Sequence, residues 1–182
     1  MTSDHGFWEH GAELKAVRNA LWSWMSQLDP DRGQGEFDRL ALALFRWQAQ
    51  HNEVYGEFVR LMGVQPSAIE AVGDIPFMPV EMFKSREVKS TSWSTHHIFR
   101  SSGTSATPSR AAHHLDLEGE GWYRKVAALA WSSVWGTDVS RHDWFGFLPG
   151  YVGREDASLL AMLQGFCEAA GHMGNRFWMD DH

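Results

Sequence analysis

The sequence predicts an α/β protein with a helical N-terminal segment. Residues 1–72 carry apolar side chains at the spacing of amphipathic helices, and residues 73–182 alternate short apolar runs with further helical patterns. Strands that alternate with helices are typical of an α/β domain. The chain has 182 residues, of which 43% are hydrophobic and 21% are charged, enough apolar material for one packed core. We therefore expect a helical segment over residues 1–72 and the first part of an α/β domain over residues 73–182.

Two long helices are expected in the N-terminal segment. Residues 7–28 present one apolar stripe, and Pro30 ends that helix because the residue before a proline is displaced from helical conformation. Residues 37–62 place a second set of apolar side chains on one side, and Gly63 is suited to the position just after the helix. We expect the two helices to pack as a hairpin.

The next segment contains Pro76 and Pro79, a spacing that no continuous helix or central strand accepts. It predicts extended chain through Phe77 and then a short helix with Pro79 at its first position. Residues 97–100 predict a short strand that leads directly into a loop rich in hydroxyl groups.

That loop places six hydroxyl side chains and one glycine between Arg100 and Arg110. Backbone N–H groups converge on an anion only where no bulky Cβ blocks the approach, so Gly103 and its small neighbours favour phosphate binding. An ordinary solvated turn is the alternative for such a run. Arg100 and Arg110 either neutralise phosphates or face water. Lys84, at the end of the short helix, is either a phosphate ligand or solvated.

Two helices and two strands are expected after the loop. Residues 117–135 predict a helix capped by Asp116, with Gly136 past its end. Residues 144–148 predict a buried parallel strand, because they form a short apolar run before a Pro-Gly pair. Asp156 is expected to cap the next helix, which ends near Gly171, and residues 175–179 begin another strand.

Three or four strands are few for a sheet, and no helix follows the last one to cover a face. Ten Trp and eleven Phe also exceed what an ordinary chain of this size carries, so they must be buried internally, against a missing partner or around an apolar ligand. We therefore expect this chain to be the N-terminal portion of a larger, incomplete α/β domain.

Composition excludes several classes of function. A net charge of −7 without a basic cluster argues against nucleic acid. A single cysteine excludes a disulfide framework, and no secretory leader or membrane span is recognisable, so we expect a soluble cytoplasmic protein. Cys167 lies on the apolar side of the last helix and is expected to be a core residue. Adjacent histidines (residues 96–97 and 113–114) point in different directions, so no metal site is predicted.

Three segments in chain order resemble the LuxE-type acyl-protein synthetases, a branch of the acyl-adenylate-forming enzymes. They are Ile-Pro-Phe-Met-Pro-Val-Glu-Met-Phe-Lys-Ser at residues 75–85, Ser-Ser-Gly-Thr-Ser at residues 101–105 with Pro-Ser-Arg at 108–110, and Phe-Leu-Pro-Gly-Tyr-Val at 147–152 with Asp-Ala-Ser-Leu at 156–159. The resemblance runs from about residue 35 to the end and corresponds to roughly the first half of a family member. It departs at Ala106, where the family usually has glycine, and at His113, which lies later than the histidine of the family.

The resemblance implies a ligase that uses ATP and Mg²⁺ to activate a carboxylic acid, here a fatty acid, as acyl-AMP. The acyl group then passes to a protein thiol, and an acyl reductase is one such acceptor; several related proteins serve bioluminescence. The ATP phosphates are expected on the residues Ser101, Ser102, Gly103, Thr104 and Ser105. The resemblance assigns no catalytic residue in this chain, and we expect the 182 residues alone to be inactive.

Two other functions stay open. The chain is also consistent with a non-catalytic module that binds a nucleotide or a partner protein. A third alternative, which the sequence favours less, is a relative that transfers the acyl group to coenzyme A; the acceptor thiol distinguishes these enzymes, and no motif of the 182 residues selects it.

Overall fold

The computed structural model describes residues 14–27, 34–101, 110–148, 154–171 and 177–178. The chain divides into two compact units, Met1–Trp93 and Ser94–His182. The described elements of the first unit include four α-helices: α1 (Leu14–Ser26), α2 (Gln34–His51), α3 (Glu53–Leu61) and α4 (Met82–Ser85). Those of the second unit include β1 (His97–Arg100), β2 (Ala112–Leu115), α5 (Gly119–Trp135), β3 (Gly146–Phe147), α6 (Ser158–Ala169) and β4 (Phe177–Trp178). Short 3-10 helices are also present at Pro66–Ala68, Val72–Asp74 and Val139–Arg141. This mixture of helices and small sheets is compatible with the predicted α/β class.

Helix α1 follows the predicted apolar stripe between residues 14 and 26, and residues 7–13 and 28 lie outside the described part of the chain. Val17 is buried, with 2% of its surface exposed. Trp24 of α1 contacts Phe37 of α2, with ring centroids 6.1 Å apart. This contact joins α1 to α2 near one end of each helix, and the predicted packing of the two helices as a hairpin stays a prediction.

The second predicted helix is in fact two helices, so that prediction is wrong at Asn52. This residue has extended backbone angles (φ −110°, ψ 107°) and its side-chain Oδ1 accepts a hydrogen bond from the Tyr55 N–H. Asn is a favoured N-cap because its short side chain satisfies an amide that lacks a helical partner. Where the helix is interrupted, Asn52 also forms an isolated antiparallel β-bridge with Ser90. The predicted end at Gly63 is confirmed, with φ of +69°.

The segment with two prolines packs on the core of the first unit. That core consists of Phe45, Tyr55 and Val59, and Ile75 and Met78 lie against it. The extended chain through residue 77 is as predicted. The short helix begins at residue 82, three residues after the proline expected to start it, because a turn from Pro79 O to the Met82 N–H precedes it.

Strand β1 has the predicted bounds, whereas its partner β2 is an addition that the sequence does not predict. The two are antiparallel, with Phe99 opposite His113 and Arg100 opposite Ala112. Phe99 is buried and its ring lies 5.1 Å from that of Tyr123 on α5. The hairpin is thereby fixed on helix α5.

Both later helices begin differently from the prediction. Helix α5 begins at Gly119 after a turn from Asp116 O, and no side chain caps it. Helix α6 begins at Ser158 with Ala157 at the N-cap, so Asp156 is not its cap. The predicted end of α5 is confirmed by Gly136, whose φ is +68°.

The predicted parallel strand is present only as Gly146–Phe147, paired with Phe177–Trp178. It is not fully buried: Gly146 and Leu148 are buried, whereas 62% of Phe145 and 74% of Phe147 are exposed. Beside it, Trp131, Trp144 and Phe166 pack against one another with ring centroids 4.7–6.0 Å apart, which accounts for part of the aromatic content.

Cys167 is buried on α6, which confirms it as a core residue. Among the described helices, none is long and apolar enough to cross a membrane.

Candidate anion-binding site

The candidate site is built on the open end of the β1–β2 hairpin, where the chain leaves residue 101 and returns at residue 110. The Ser101 N–H donates to Ala111 O at 3.0 Å, and the Ala111 N–H donates to Ser101 Oγ at 3.1 Å. These two bonds extend the hairpin by one residue beyond each strand. They hold both ends of the hydroxyl-rich segment at a fixed separation.

Arginine side chains from both ends of this segment converge on one carboxylate. Arg110 Nη2 lies 2.8 Å from Asp156 Oδ2, and Arg100 Nε lies 4.0 Å from the same oxygen. Arg154 Nε lies 3.6 Å from the other oxygen, Oδ1. All four side chains are between 24% and 41% exposed, so water screens these pairs and each contributes about 1 kcal/mol or less to stability.

Arg110 is held mainly by the backbone. Its Nε donates to Ser101 O at 2.7 Å, which fixes the guanidinium plane across the end of the hairpin. Its Nη2 is buried and has no aligned hydrogen bond to a described residue, although Asp156 Oδ2 lies close enough for an ion pair. A guanidinium presents five N–H donors, so Arg110 retains donors for a further anion.

Asp156 reaches the hairpin because the backbone brings it there. Its carbonyl oxygen accepts a hydrogen bond from the Arg100 N–H at 2.8 Å, which joins the end of β1 to the residues before α6. Two residues later, the Tyr123 hydroxyl donates to Ser158 O at 3.2 Å and ties the start of α6 to α5. These bonds to backbone carbonyls fix the chain at Asp156 beside the hairpin.

The cluster of Arg100, Arg110, Arg154 and Asp156 carries a formal charge of +2, from three arginines and one carboxylate. Guanidinium groups bind the oxygens of phosphate and carboxylate with paired, charge-assisted hydrogen bonds. The arrangement is thus suited to an oxyanion bound next to the hairpin end, and its residues fit the phosphates of ATP better than they fit a metal ion.

The structure brings together three of the predicted site residues, Ser101, Arg100 and Arg110. Ser102, Gly103, Thr104 and Ser105 lie outside the described residues, so their assignment to ATP phosphates stays a prediction. Lys84 lies half-buried on α4 in the first unit, whereas the hairpin belongs to the second. Its role also stays a prediction.

His113 lies on β2 with a partly exposed side chain, three residues from Arg110 along the chain. Burial of part of the ring lowers its pKa, and the charge of His114 lowers it further. His113 is therefore mostly uncharged at neutral pH and does not contribute a positive charge to the site.

Asp156 and Arg154 are the members of the cluster that the sequence does not reveal. An acidic residue before an apolar helix favours the role of a helix cap, and nothing local distinguishes that role from an ion pair. The contact of Asp156 with Arg110 spans more than 40 positions of the chain and forms only once the hairpin and α6 are packed together.

No cluster of three or more metal-binding side chains occurs within the described ranges. The carboxylate of this site, that of Asp156, is paired with arginines. The described residues of this site therefore do not fit Mg²⁺.

The family model described as "Acyl-protein synthetase, LuxE" matches residues 26–128. The matched range includes the two-proline segment, the hairpin and the start of α5, and it ends before Asp156. No curated protein and no solved structure matches the chain.

Proposed function

Because the chain belongs to the LuxE acyl-protein synthetase family, we propose that it binds the ATP phosphates in a ligase that activates a carboxylic acid as its acyl-adenylate. Family membership supports the acyl-protein synthetase activity. The ATP-dependent mechanism, the fatty acid substrate and the transfer to a protein thiol are the parts we add as a proposal.

The proposed reaction has two steps. A carboxylate oxygen of the acid attacks the α-phosphorus of ATP, a new C(O)–O–P linkage forms, and the bond to the β-phosphate breaks to release pyrophosphate. The sulfur of an acceptor thiolate then attacks the acyl carbonyl carbon, and AMP leaves with the electrons of the broken C–O bond. In the first step the protein mainly positions the phosphates and neutralises their charge.

The observation that carries the proposal is the pair of guanidinium groups at the two ends of the hydroxyl-rich segment. Arg100 ends β1 and Arg110 precedes β2, and both side chains lie within 4.0 Å of the same carboxylate oxygen. A phosphate next to the hairpin end would therefore meet donors from both sides. The hydroxyl groups of residues 101–105 add further donors in this proposal.

ATP–pyrophosphate exchange by the complete product of the gene, with a panel of carboxylic acids of different chain length, tests the proposal. We expect exchange that depends on the acid. The Arg110→Gln variant should lower its rate about 10- to 100-fold, since a charge-assisted hydrogen bond contributes about 1.5–3 kcal/mol. Arg141→Gln is the matched control, because Arg141 is an exposed arginine of the same unit and its loss changes the net charge equally.

The outcomes separate the candidate functions. Exchange that ignores both the acid and the Arg110→Gln substitution would refute adenylation at this site. ATP binding without any exchange would instead indicate a nucleotide-binding module. Where exchange occurs, comparing coenzyme A with a protein thiol as acceptor tells the two kinds of ligase apart.

A further inference from the structure

The carboxylate of Asp156 occupies the position that a bound phosphate would need. It lies 2.8 Å from Arg110 Nη2 and 4.0 Å from Arg100 Nε, the same donors assigned to the phosphates. We propose that Asp156 is an internal competitor of the anion, which limits how tightly this site holds a polyphosphate. The proposal rests on the proposed function and adds a residue that sets the affinity.

Asp156 is not needed to position the arginines. Arg110 is oriented by its hydrogen bond to Ser101 O, which involves Nε and leaves Nη2 for an anion. Arg100 is fixed through its backbone in β1, and its side chain is 41% exposed and only loosely paired. Removing the negative charge of Asp156 therefore frees N–H donors of Arg100 and Arg110. The two guanidinium groups stay in place.

Asp156 also cannot move far from the site. Its carbonyl oxygen accepts a hydrogen bond from the Arg100 N–H at 2.8 Å, which holds the backbone of Asp156 in place. An arriving anion therefore displaces the carboxylate from the arginines, but the carboxylate stays close to the site. The two like charges then remain within a few ångströms of each other and repel. Without the carboxylate, the formal charge of the cluster with Arg100, Arg110 and Arg154 would rise from +2 to +3.

The consequence for the proposed reaction concerns pyrophosphate. A product with several negative charges binds strongly to two unopposed guanidinium groups, and slow release would then limit turnover. A resident carboxylate weakens this binding. Asp156 thus favours release of pyrophosphate at the expense of affinity for the triphosphate.

The test measures binding of inorganic tripolyphosphate and pyrophosphate to the full chain by calorimetry at about 0.15 M salt. Asp156→Asn keeps the side-chain shape and removes the charge, and we expect Kd to fall about five- to tenfold. Glu155→Gln is the matched control: it removes one negative charge at the neighbouring exposed position, outside the ion pairs of Asp156, and should change Kd less than about twofold.

Weaker or unchanged binding by Asp156→Asn, with clear binding by the natural chain, would overturn the inference and leave the proposed function intact. Tripolyphosphate binding by neither protein would overturn both. Circular dichroism checks that the variant is folded, and Asp156→Ser supplies the same comparison if Asp156→Asn is not. Faster pyrophosphate release in the exchange assay is the expected kinetic counterpart.

Discussion

Replacing Gly56 by alanine tests the packing that places helix α3 against α2. Alanine is the better helix former, by about 1 kcal/mol, so intrinsic propensity alone predicts a more stable protein. A Cβ at residue 56, however, would lie 2.5 Å from the backbone oxygen of Ala49. A backbone oxygen cannot swing aside as the end of a side chain can, so the two helices must separate by roughly 0.9 Å to restore an ordinary contact of about 3.4 Å.

The steric clash should lower the free energy of unfolding by more than the higher helix propensity of alanine raises it. Overpacking a well-packed interior costs about 1–3 kcal/mol, and a 2.5 Å contact with a backbone atom belongs to the upper part of that range, about 2–3 kcal/mol. Subtracting the propensity gain of about 1 kcal/mol leaves a loss of about 1–2 kcal/mol. For a chain of this size, that loss lowers Tm by roughly 2–8 °C. Urea and thermal unfolding, followed by circular dichroism, measure both quantities.

Gly35→Ala is the matched control for this experiment. Gly35 lies near the start of α2 in the same unit, and a Cβ there would meet nothing within 4 Å. Its replacement should be neutral or stabilise the protein by up to about 1 kcal/mol. A Gly56→Ala variant as stable as the natural chain would refute the argument, because it would show that the two helices are not in close contact at Ala49.

Two further predictions concern titratable groups. Tyr55→Phe removes the hydrogen bond to Pro76 O (2.8 Å) and should lower the free energy of unfolding by about 0.5–1.5 kcal/mol in urea titrations; an unchanged value would argue against that bond. Because folding lowers the pKa of His113, the folded state binds fewer protons: its contribution to stability is complete above about pH 6.5 and is lost as the pH falls through the lowered pKa. The slope of unfolding free energy against pH between about 5 and 7 should therefore flatten in His113→Asn, and NMR titration of the histidine ring should show the lowered pKa directly.

Much of the secondary structure follows from local chemistry. Strand β1 has its predicted bounds, and Gly63 and Gly136 mark helix ends because both adopt the left-handed conformation that glycine favours. Such features depend on neighbouring residues only. They are therefore readable in the sequence.

The features that the sequence predicts wrongly depend on distant partners. Asn52 interrupts an apolar pattern that continues at helical spacing through residue 62, and the interruption becomes favourable through its bridge to Ser90. Asp156 is an acidic residue just before α6, but its side chain is paired with arginines of the hairpin and does not cap that helix. In both positions a tertiary contact overrides the local preference.

The candidate site divides in the same way. Arg100, Ser101 and Arg110 are recognisable from the sequence because a dense run of small hydroxyl residues between two arginines is unusual in itself. Strand β2 is not recognisable, since its residues 112–115 contain two histidines and have little strand character. The convergence of the arginines on one carboxylate depends on that strand and its register, so it cannot be predicted without them.

The bridge at Asn52 closes a ring in the chain of the first unit. Residues 52 and 90 are 38 positions apart, yet the Asn52 side chain contacts Ser90, and the next N–H, of Thr91, donates to His51 O at 2.6 Å. Closing a loop of this length costs about 3 kcal/mol of chain entropy before any contact within it is counted. Thr91 also holds a left-handed backbone (φ +66°), which a β-branched residue adopts only under the constraint of its surroundings. Helix α3 and the two-proline segment lie inside this ring, so they should open to solvent together, as one cooperative unit of hydrogen exchange rather than as independent pieces.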